Sequence, residues 1–247
     1  MKHIILIVLM CLSLTSKAGT IDPNISDNQY IEYSKNFVCV GQLQGRTQDN
    51  KLFYASAVAI DDDHILTAAH VIKEIKSCIF IINKTEYVIT EFVYPPQFNE
   101  DNTFGYHDIA IGYSRNKLKL KDYPQLYTNS DEIGRLCYIS GFGMTGTFNT
   151  GATKGDNKQR AGSNMIDYID KHLLICSPTI GKGKTPLEFI IASGDSGGGL
   201  FIDNKLAGIN SCVLAVKQEP KSDYATECGH TRISVHLDWI KKHLRPK

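Results

Sequence analysis

Apolar residues in this chain come in short runs. Residues 37–41, 55–60, 78–82, 87–93 and 109–113 are apolar, β-branched or aromatic, and clusters of Gly, Asn, Asp and Lys separate them. That is the pattern of successive short strands. A second set follows at 136–141, 172–177, 200–202, 205–211 and 229–235. Asp203-Asn204 between two of these runs predicts a hairpin turn. Helical spacing is clear only near the end. Leu237, Ile240 and Leu244 share a face there, with Trp239 beside them and Lys241, Lys242 and Arg245 in the last turns. A short helical turn is also expected at 71–75. The stretch 143–163, rich in Gly, Thr, Asn and Lys, predicts a mobile surface loop rather than a domain boundary. Many short strands with one closing helix favour a barrel or sandwich over a helical or parallel α/β fold.

The start of the chain follows another rule. Met1-Lys2-His3 is basic, 4–14 is almost unbroken apolar sequence, and Ser16-Lys17-Ala18 is a small-x-small exit. This is the layout of a secretory signal peptide over residues 1–18, cleaved after Ala18. The apolar run is shorter than the roughly 20 residues a bilayer span needs. A secreted or periplasmic product is expected, with no membrane contact after cleavage. The chain carries 27 basic and 26 acidic residues, and loss of Lys2 and Lys17 leaves 25 against 26. Near-neutrality without basic runs argues against nucleic acid as a partner. Seven cysteines become six once Cys11 leaves, an even number that predicts disulfides in an oxidising compartment.

Three motifs carry chemistry. In Gly194-Asp195-Ser196-Gly197-Gly198, a serine sits among glycines that let the N–H groups of Gly194 and Ser196 aim at one oxyanion. Leu66-Thr67-Ala68-Ala69-His70 ends an apolar strand on a histidine with small neighbours, the setting of a rigidly placed base. His172, His236 and His243 lack such a context, whereas His107 and His230 remain open. His107-Asp108-Ile109-Ala110-Ile111 puts Asp108 at the edge of an apolar strand, where a carboxylate can orient an imidazole. Asp101 competes for that role, but its neighbours look like an exposed loop.

In this order the motifs resemble the trypsin/chymotrypsin family of serine proteases. Cys137-Tyr138-Ile139-Ser140-Gly141-Phe142-Gly143 and Asp238-Trp239-Ile240 resemble further family segments, and residues 160–167 are similar to bacterial secreted members. The resemblance runs from about residue 37 to 244. It implies an all-β fold of two packed six-stranded antiparallel β-barrels with a C-terminal helix. The first barrel would span about 36–122, the second about 123–235 and the helix about 236–245, making residues 19–247 one protease domain. It also implies His70 as base, Asp108 as its orienting carboxylate, Ser196 as nucleophile, and an oxyanion hole from Gly194 and Ser196. Ser211 would bond the carboxylate and line the substrate strand. No metal or organic cofactor is implied. Polypeptide substrates and protein protease inhibitors are the expected partners, with the chain a monomer.

The departures from the family concern the surroundings of the site. Ile190 stands six residues before Ser196, where a trypsin has Asp at the pocket base. With Val213 and Gly229 as walls, this implies an apolar primary pocket, provided that nearby Glu188 stays out of it. The implied barrels suggest disulfides Cys39–Cys78 and Cys212–Cys228, which leaves Cys137–Cys176. The family's Ile-Val-Gly-Gly-like start, whose amino group pairs with the Asp before the nucleophile, is missing. Asp195 would be that activation partner, and Ile21-Asp22-Pro23 is the nearest apolar candidate start. A non-catalytic homologue serving as a binding module is the alternative reading.

Overall fold

The computed structural model describes residues 19–73, 75–100, 105–215 and 221–245. The signal segment 1–18, including Cys11, and the competing Asp101 lie outside them. The chain opens with β1 (Thr20–Ile21) and α1 (Asp27–Ser34). It continues through β2 (Val40–Thr47), β3 (Leu52–Ala59), β4 (His64–Thr67), α2 (Ala69–Ile72), β5 (Ile75–Ile82), β6 (Thr85–Val93), α3 (Gln97–Glu100) and β7 (Ala110–Ser114). Strands β2-β3-β4-β7-β6-β5 close into a six-stranded barrel. Alternation along β3 explains why it is apolar throughout. Ala55, Ala57 and Ala59 point into the barrel with Leu43, Ile65 and Phe80, while Val58 points out. That outer face is as dry as the inner one, because Val58, Leu66 and Ile109 pack with Phe201, Leu206 and Ile209 from the other half.

The second half contributes β8 (Leu136–Gly141), β9 (Thr145–Thr147), β10 (Gly151–Lys154), β11 (Arg160–Met165), β12 (Tyr168–Asp170) and β13 (Leu173–Cys176). After these come β14 (Phe189–Ile190), β15 (Gly199–Ile202), β16 (Lys205–Ala215), β17 (Thr226–Arg232) and α4 (Leu237–His243). Its strands form a seven-stranded sheet, β11-β8-β15-β16-β17-β13-β12, and a four-stranded sheet, β10-β9-β1-β14, over a shared core of Ile139, Phe148, Phe189, Ile190 and Leu200. Asp203 and Asn204 both take positive φ, 48° and 61°, and join β15 to β16 in the expected hairpin. The turn after β4 is helical at Ala69–Ile72, slightly earlier than 71–75.

Two segments differ from the sequence expectation. The stretch 143–163 is not a loop, since it holds β9, β10 and the start of β11, with β9 pairing parallel to β1. Phe148 anchors it, buried against Tyr224. Helix α1 was not expected either; Tyr30 is its anchor, fully buried, with its hydroxyl donating to Glu188 O at 3.1 Å. Arg160 ties both segments together. Its guanidinium, 1% exposed, bonds Asp27 of α1 and Asp156 bidentately at 2.5–2.9 Å. Arg160→Ala leaves two carboxylates facing a void, and calorimetry or urea unfolding should show a loss of about 3 kcal/mol or more. Lys35→Ala, which breaks an exposed pair with Glu32, should stay within about 0.5 kcal/mol.

Candidate active site

The candidate base and its carboxylate meet where the two halves abut. His70 lies in α2, directly after β4, and Asp108 lies two residues before β7, which pairs with β4. The ladder therefore brings them together. The His70 N–H donates to Asp108 Oδ1 at 2.8 Å, and ring Nδ1 lies 2.7 Å from Oδ2. Asp108 is 1% exposed, and Ser211 Oγ donates to the same Oδ2 at 2.6 Å. Ser211 reaches it because the pairing of β16 with β17 shifts register between Asn210 and Cys212, a bulge that re-aims the intervening side chain. Thr231 Oγ1 donates to the Asp108 carbonyl at 2.9 Å.

These contacts set the protonation states. Burial opposes charge on Asp108, but the His70 charge, the His70 and Ser211 hydrogen bonds and the backbone donor outweigh it and hold the carboxyl below its usual range. Burial likewise opposes an imidazolium at His70, yet the Asp108 charge and hydrogen bond prevail and raise its pKa. With Nδ1–H bound to the carboxylate, Nε2 keeps the lone pair and can take a proton.

The serine turn is pinned from both sides. Ser56 N–H donates to Ser196 O at 2.9 Å, and Ser56 Oγ to Gly194 O at 3.0 Å. Gly197 has φ 85°, and a Cβ there would meet Thr67 Oγ1 at 2.1 Å and Ser56 O at 2.2 Å. No larger residue could let the turn sit this close to the segment leading into His70. Asp195 points inward, fully buried, and accepts from Gly143 N at 2.8 Å, Ala192 N at 2.9 Å and Gly19 N at 2.7 Å. Burial pushes its pKa up to about 6 despite these backbone donors. Gly19 was not foreseen in this role. The only sequence signal for it is its place directly after Ala18.

Around the expected pocket, one residue is displaced. Ile190 is buried beside Cys228, and Val213 packs on the same core. Gly229 faces the other way: a Cβ on it would meet Cys212 Sγ at 2.7 Å and Leu173 Cδ1 at 3.3 Å. Alternation along β17 thus puts Cys228, not Gly229, on the Ile190 side, a slip of one residue. Glu188 is held away in its own cage, accepting from Thr185 N at 2.8 Å, Thr185 Oγ1 at 3.1 Å and Thr179 N at 3.2 Å. His230 bonds Asn210 Oδ1 at 2.8 Å and lies 3.3 Å from Cys228 Sγ, while His107 Nδ1 lies 3.2 Å from His236 Nε2.

The six described cysteines are free and buried. Two of the suggested disulfides fail on geometry. Cys78 pairs with Gly45, far along β2 from Cys39, a separation on the order of 20 Å at strand rise. Cys212 and Cys228 lie on opposite faces of their strands, Cys212 with Leu173 and Cys228 with Ile190. Cys137 and Cys176 Sγ are 3.8 Å apart, within reach of bonding by a small shift.

Comparison with known proteins follows the same lines. The Trypsin family model matches residues 25–240. Granzyme B of Rattus norvegicus is 24% identical over 265 aligned positions, covering 99% of this chain and 99% of that protein. Mast cell protease 3 of Ovis aries is 24% identical, covering 96% and 95%. Phenoloxidase-activating factor 3 of Holotrichia diomphalia is 24% identical, covering 82% and 67%. These relatives are mammalian and insect, so the suggested likeness to bacterial members is not supported. The solved structures of HL collagenase (TM-score 0.67, 18% identity, 83% of this chain and 93% of that one) and mouse neuropsin (0.66, 22%, 83% and 94%) share the fold.

The His70 environment yields a direct expectation. NMR titration should place the ring's midpoint above the ordinary 6.5. Asp108→Asn, which removes the opposing charge, should move it down below the wild-type value.

Proposed function

The chain belongs to the trypsin family, and from that premise we propose that it is a secreted serine endopeptidase acting through Ser196, His70 and Asp108. The observation that carries this reading is the Asp108 carboxylate, which holds the His70 ring through Nδ1 and is itself held by Ser211. In the proposed mechanism His70 Nε2 takes the Ser196 proton as Oγ attacks a peptide carbonyl. The oxyanion is stabilised by the N–H groups of Gly194 and Ser196, whose turn is anchored on its far side by Ser56. The protonated ring then gives its proton to the departing amine, and water activated by the same ring hydrolyses the acyl-enzyme. Asp108 stays ionised throughout.

The substrate preference we propose is a medium-sized apolar residue before the cut. Ile190 would floor the pocket, with Val213 and Cys228 as walls, and the caged Glu188 contributes no charge to it. Digestion of a peptide library should show this preference, and Ser196→Ala should abolish cleavage, a loss of roughly 10⁶-fold. Cuts mainly after Lys or Arg would overturn the pocket assignment. Failure of a fluorophosphonate to label Ser196 in folded protein would favour the binding-module alternative.

The start of the mature chain completes the reading. Gly19 N lies 2.7 Å from Asp195 Oδ2, and its φ of +31° and the Phe189 ring 2.0 Å from any Cβ leave room for glycine alone. Cleavage after Ala18 would turn that nitrogen into an ammonium and give the buried carboxylate a counter-charge. Export itself would then activate the enzyme, with Gly19 rather than Ile21 as the start. A chain extended by Ala18 and further residues should have less than about a tenth of the activity of one starting at Gly19, and Asp195→Asn should lose a similar amount. Equal activity of the extended and trimmed chains would refute this.

A further inference from the structure

A thiol unused by the proposed chemistry has its own base. Cys228 Sγ lies 3.3 Å from His230 Nε2, and His230 Nδ1 lies 2.8 Å from Asn210 Oδ1. The Asn210 amide is oriented by its other end, since Nδ2 donates to Ser140 O at 3.2 Å. Its Oδ1 can only accept, so His230 carries its ring proton on Nδ1 and turns the Nε2 lone pair to the thiol. All three side chains are fully buried. A thiol proton directed at an imidazole, with an amide holding the ring, is an arrangement that makes sulfur a nucleophile. Burial opposes a thiolate at Cys228, yet the Cys176 hydrogen bond and the charge and hydrogen bond of His230 outweigh it and hold the pKa below the ordinary thiol range.

A second thiol stands opposite. Cys176 and Cys228 face each other across the β13–β17 ladder, both in the core that holds Ile190. Directly opposed residues of an antiparallel pair have Cα atoms about 4.5–5.5 Å apart, inside the range that a disulfide spans. Cys228 Sγ already lies 3.5 Å from Cys176 O. Cys176 has another neighbour in Cys137, with 3.8 Å between the sulfurs. The two partners differ in what can take the proton. Cys137 directs its thiol to Asn164 O at 3.3 Å, and a carbonyl cannot keep a proton. The imidazole beside Cys228 can. Burial and the neighbouring thiols push Cys176 itself well above the ordinary thiol range, which suits the sulfur that answers an activated one.

We propose that Cys228 is a peroxide-reactive thiol that closes on Cys176 as a reversible cross-strand disulfide, with His230 as its base and Asn210 positioning that base. The Cys228 proton passes to His230 Nε2 while Sγ attacks one oxygen of hydrogen peroxide. The O–O bond breaks, the departing hydroxide takes the proton from Nε2 as water, and Cys228 is left as a sulfenic acid. Cys176 Sγ then attacks the oxidised sulfur, the S–O bond breaks, and hydroxide leaves as water with the Cys176 proton. Two thiols lose two electrons and two protons, and one peroxide is reduced to two waters. Both sulfurs are shut from solvent, which selects an oxidant of peroxide's size over a bulky disulfide. The bond forms whether or not the chain is a peptidase. Only its effect, a tie between β13 and β17 beside Ile190, bears on the proposed pocket.

The test treats the chain starting at Gly19, with its thiols reduced, with hydrogen peroxide and maps its peptides by mass spectrometry without reduction. A Cys176–Cys228 link that dithiothreitol reverses is expected, and Cys176→Ser should instead add oxygen to Cys228. His230→Gln should slow the reaction about tenfold or more, whereas Cys137→Ser should leave its rate unchanged. Glutathione disulfide should leave both thiols free over the same time. If His230→Gln fails to fold, the wild-type map and Cys137→Ser decide. The proposal is overturned by absence of the link, by a Cys137–Cys176 link in its place, by an unchanged rate in folded His230→Gln, by loss of the reaction in Cys137→Ser, or by equally fast linkage with glutathione disulfide.

Discussion

A carboxylate shut away from water must find donors or lose its charge, and Asp195 is where this constraint governs most of the molecule. Its oxygens draw in Gly143 from just past β8, Ala192 from the segment between β14 and the nucleophile, and Gly19 from the residue before β1. Once Gly19 is drawn in, β1 follows and lies between β9 and β14. The four-stranded sheet exists because of that insertion. The same anchor fixes the residue next to Ser196, so the geometry of the serine turn is coupled to where the chain begins. Neighbouring glycines leave no slack, since a Cβ at 143 would meet Asp195 N at 2.4 Å.

The candidate site residues could be named from the sequence because the proposed chemistry tolerates few substitutions. A base, its carboxylate and a serine among glycines each require one residue type, and the strand patterns around them were strong enough to place them. What escaped had a different physical origin. Gly229 was taken for a pocket wall, but the bulge at Asn210/Cys212 shifts the register of its partner strand, and only the paired coordinates show that Cys228 faces Ile190. Residues 143–163 looked like a loop because their strands are short and glycine-rich. They are strands because of β1, which is distant in sequence. Two of the three disulfide pairs failed for a similar reason: adjacency of strands does not fix which positions along them meet.

Gly19 shows a further limit. An apolar start was expected because the family's own start is Ile-Val-Gly-Gly-like, with Ile21 the nearest apolar candidate here. Here the Phe189 ring lies against Gly19, where only the smallest residue fits. The apolar contact is still made, two residues later, by buried Ile21. Position and side chain have been separated, which no scan for an apolar first residue could detect.

Under the proposed function, the two buried aspartates let maturation and catalysis share one small region without interfering. Asp108 faces an imidazole that can carry charge and a hydroxyl that donates to it, so its carboxyl stays ionised whatever happens at the terminus. Asp195 faces only backbone donors and a more distant Arg160, and burial lifts it to about 6. An unpaired buried charge of that kind favours rearrangement or protonation over staying put. An ammonium at Gly19 removes the incentive. Under this reading the first carboxylate is self-sufficient by construction, while the second waits on a cut made elsewhere, and placing them on separate donor sets lets one switch while the other keeps working.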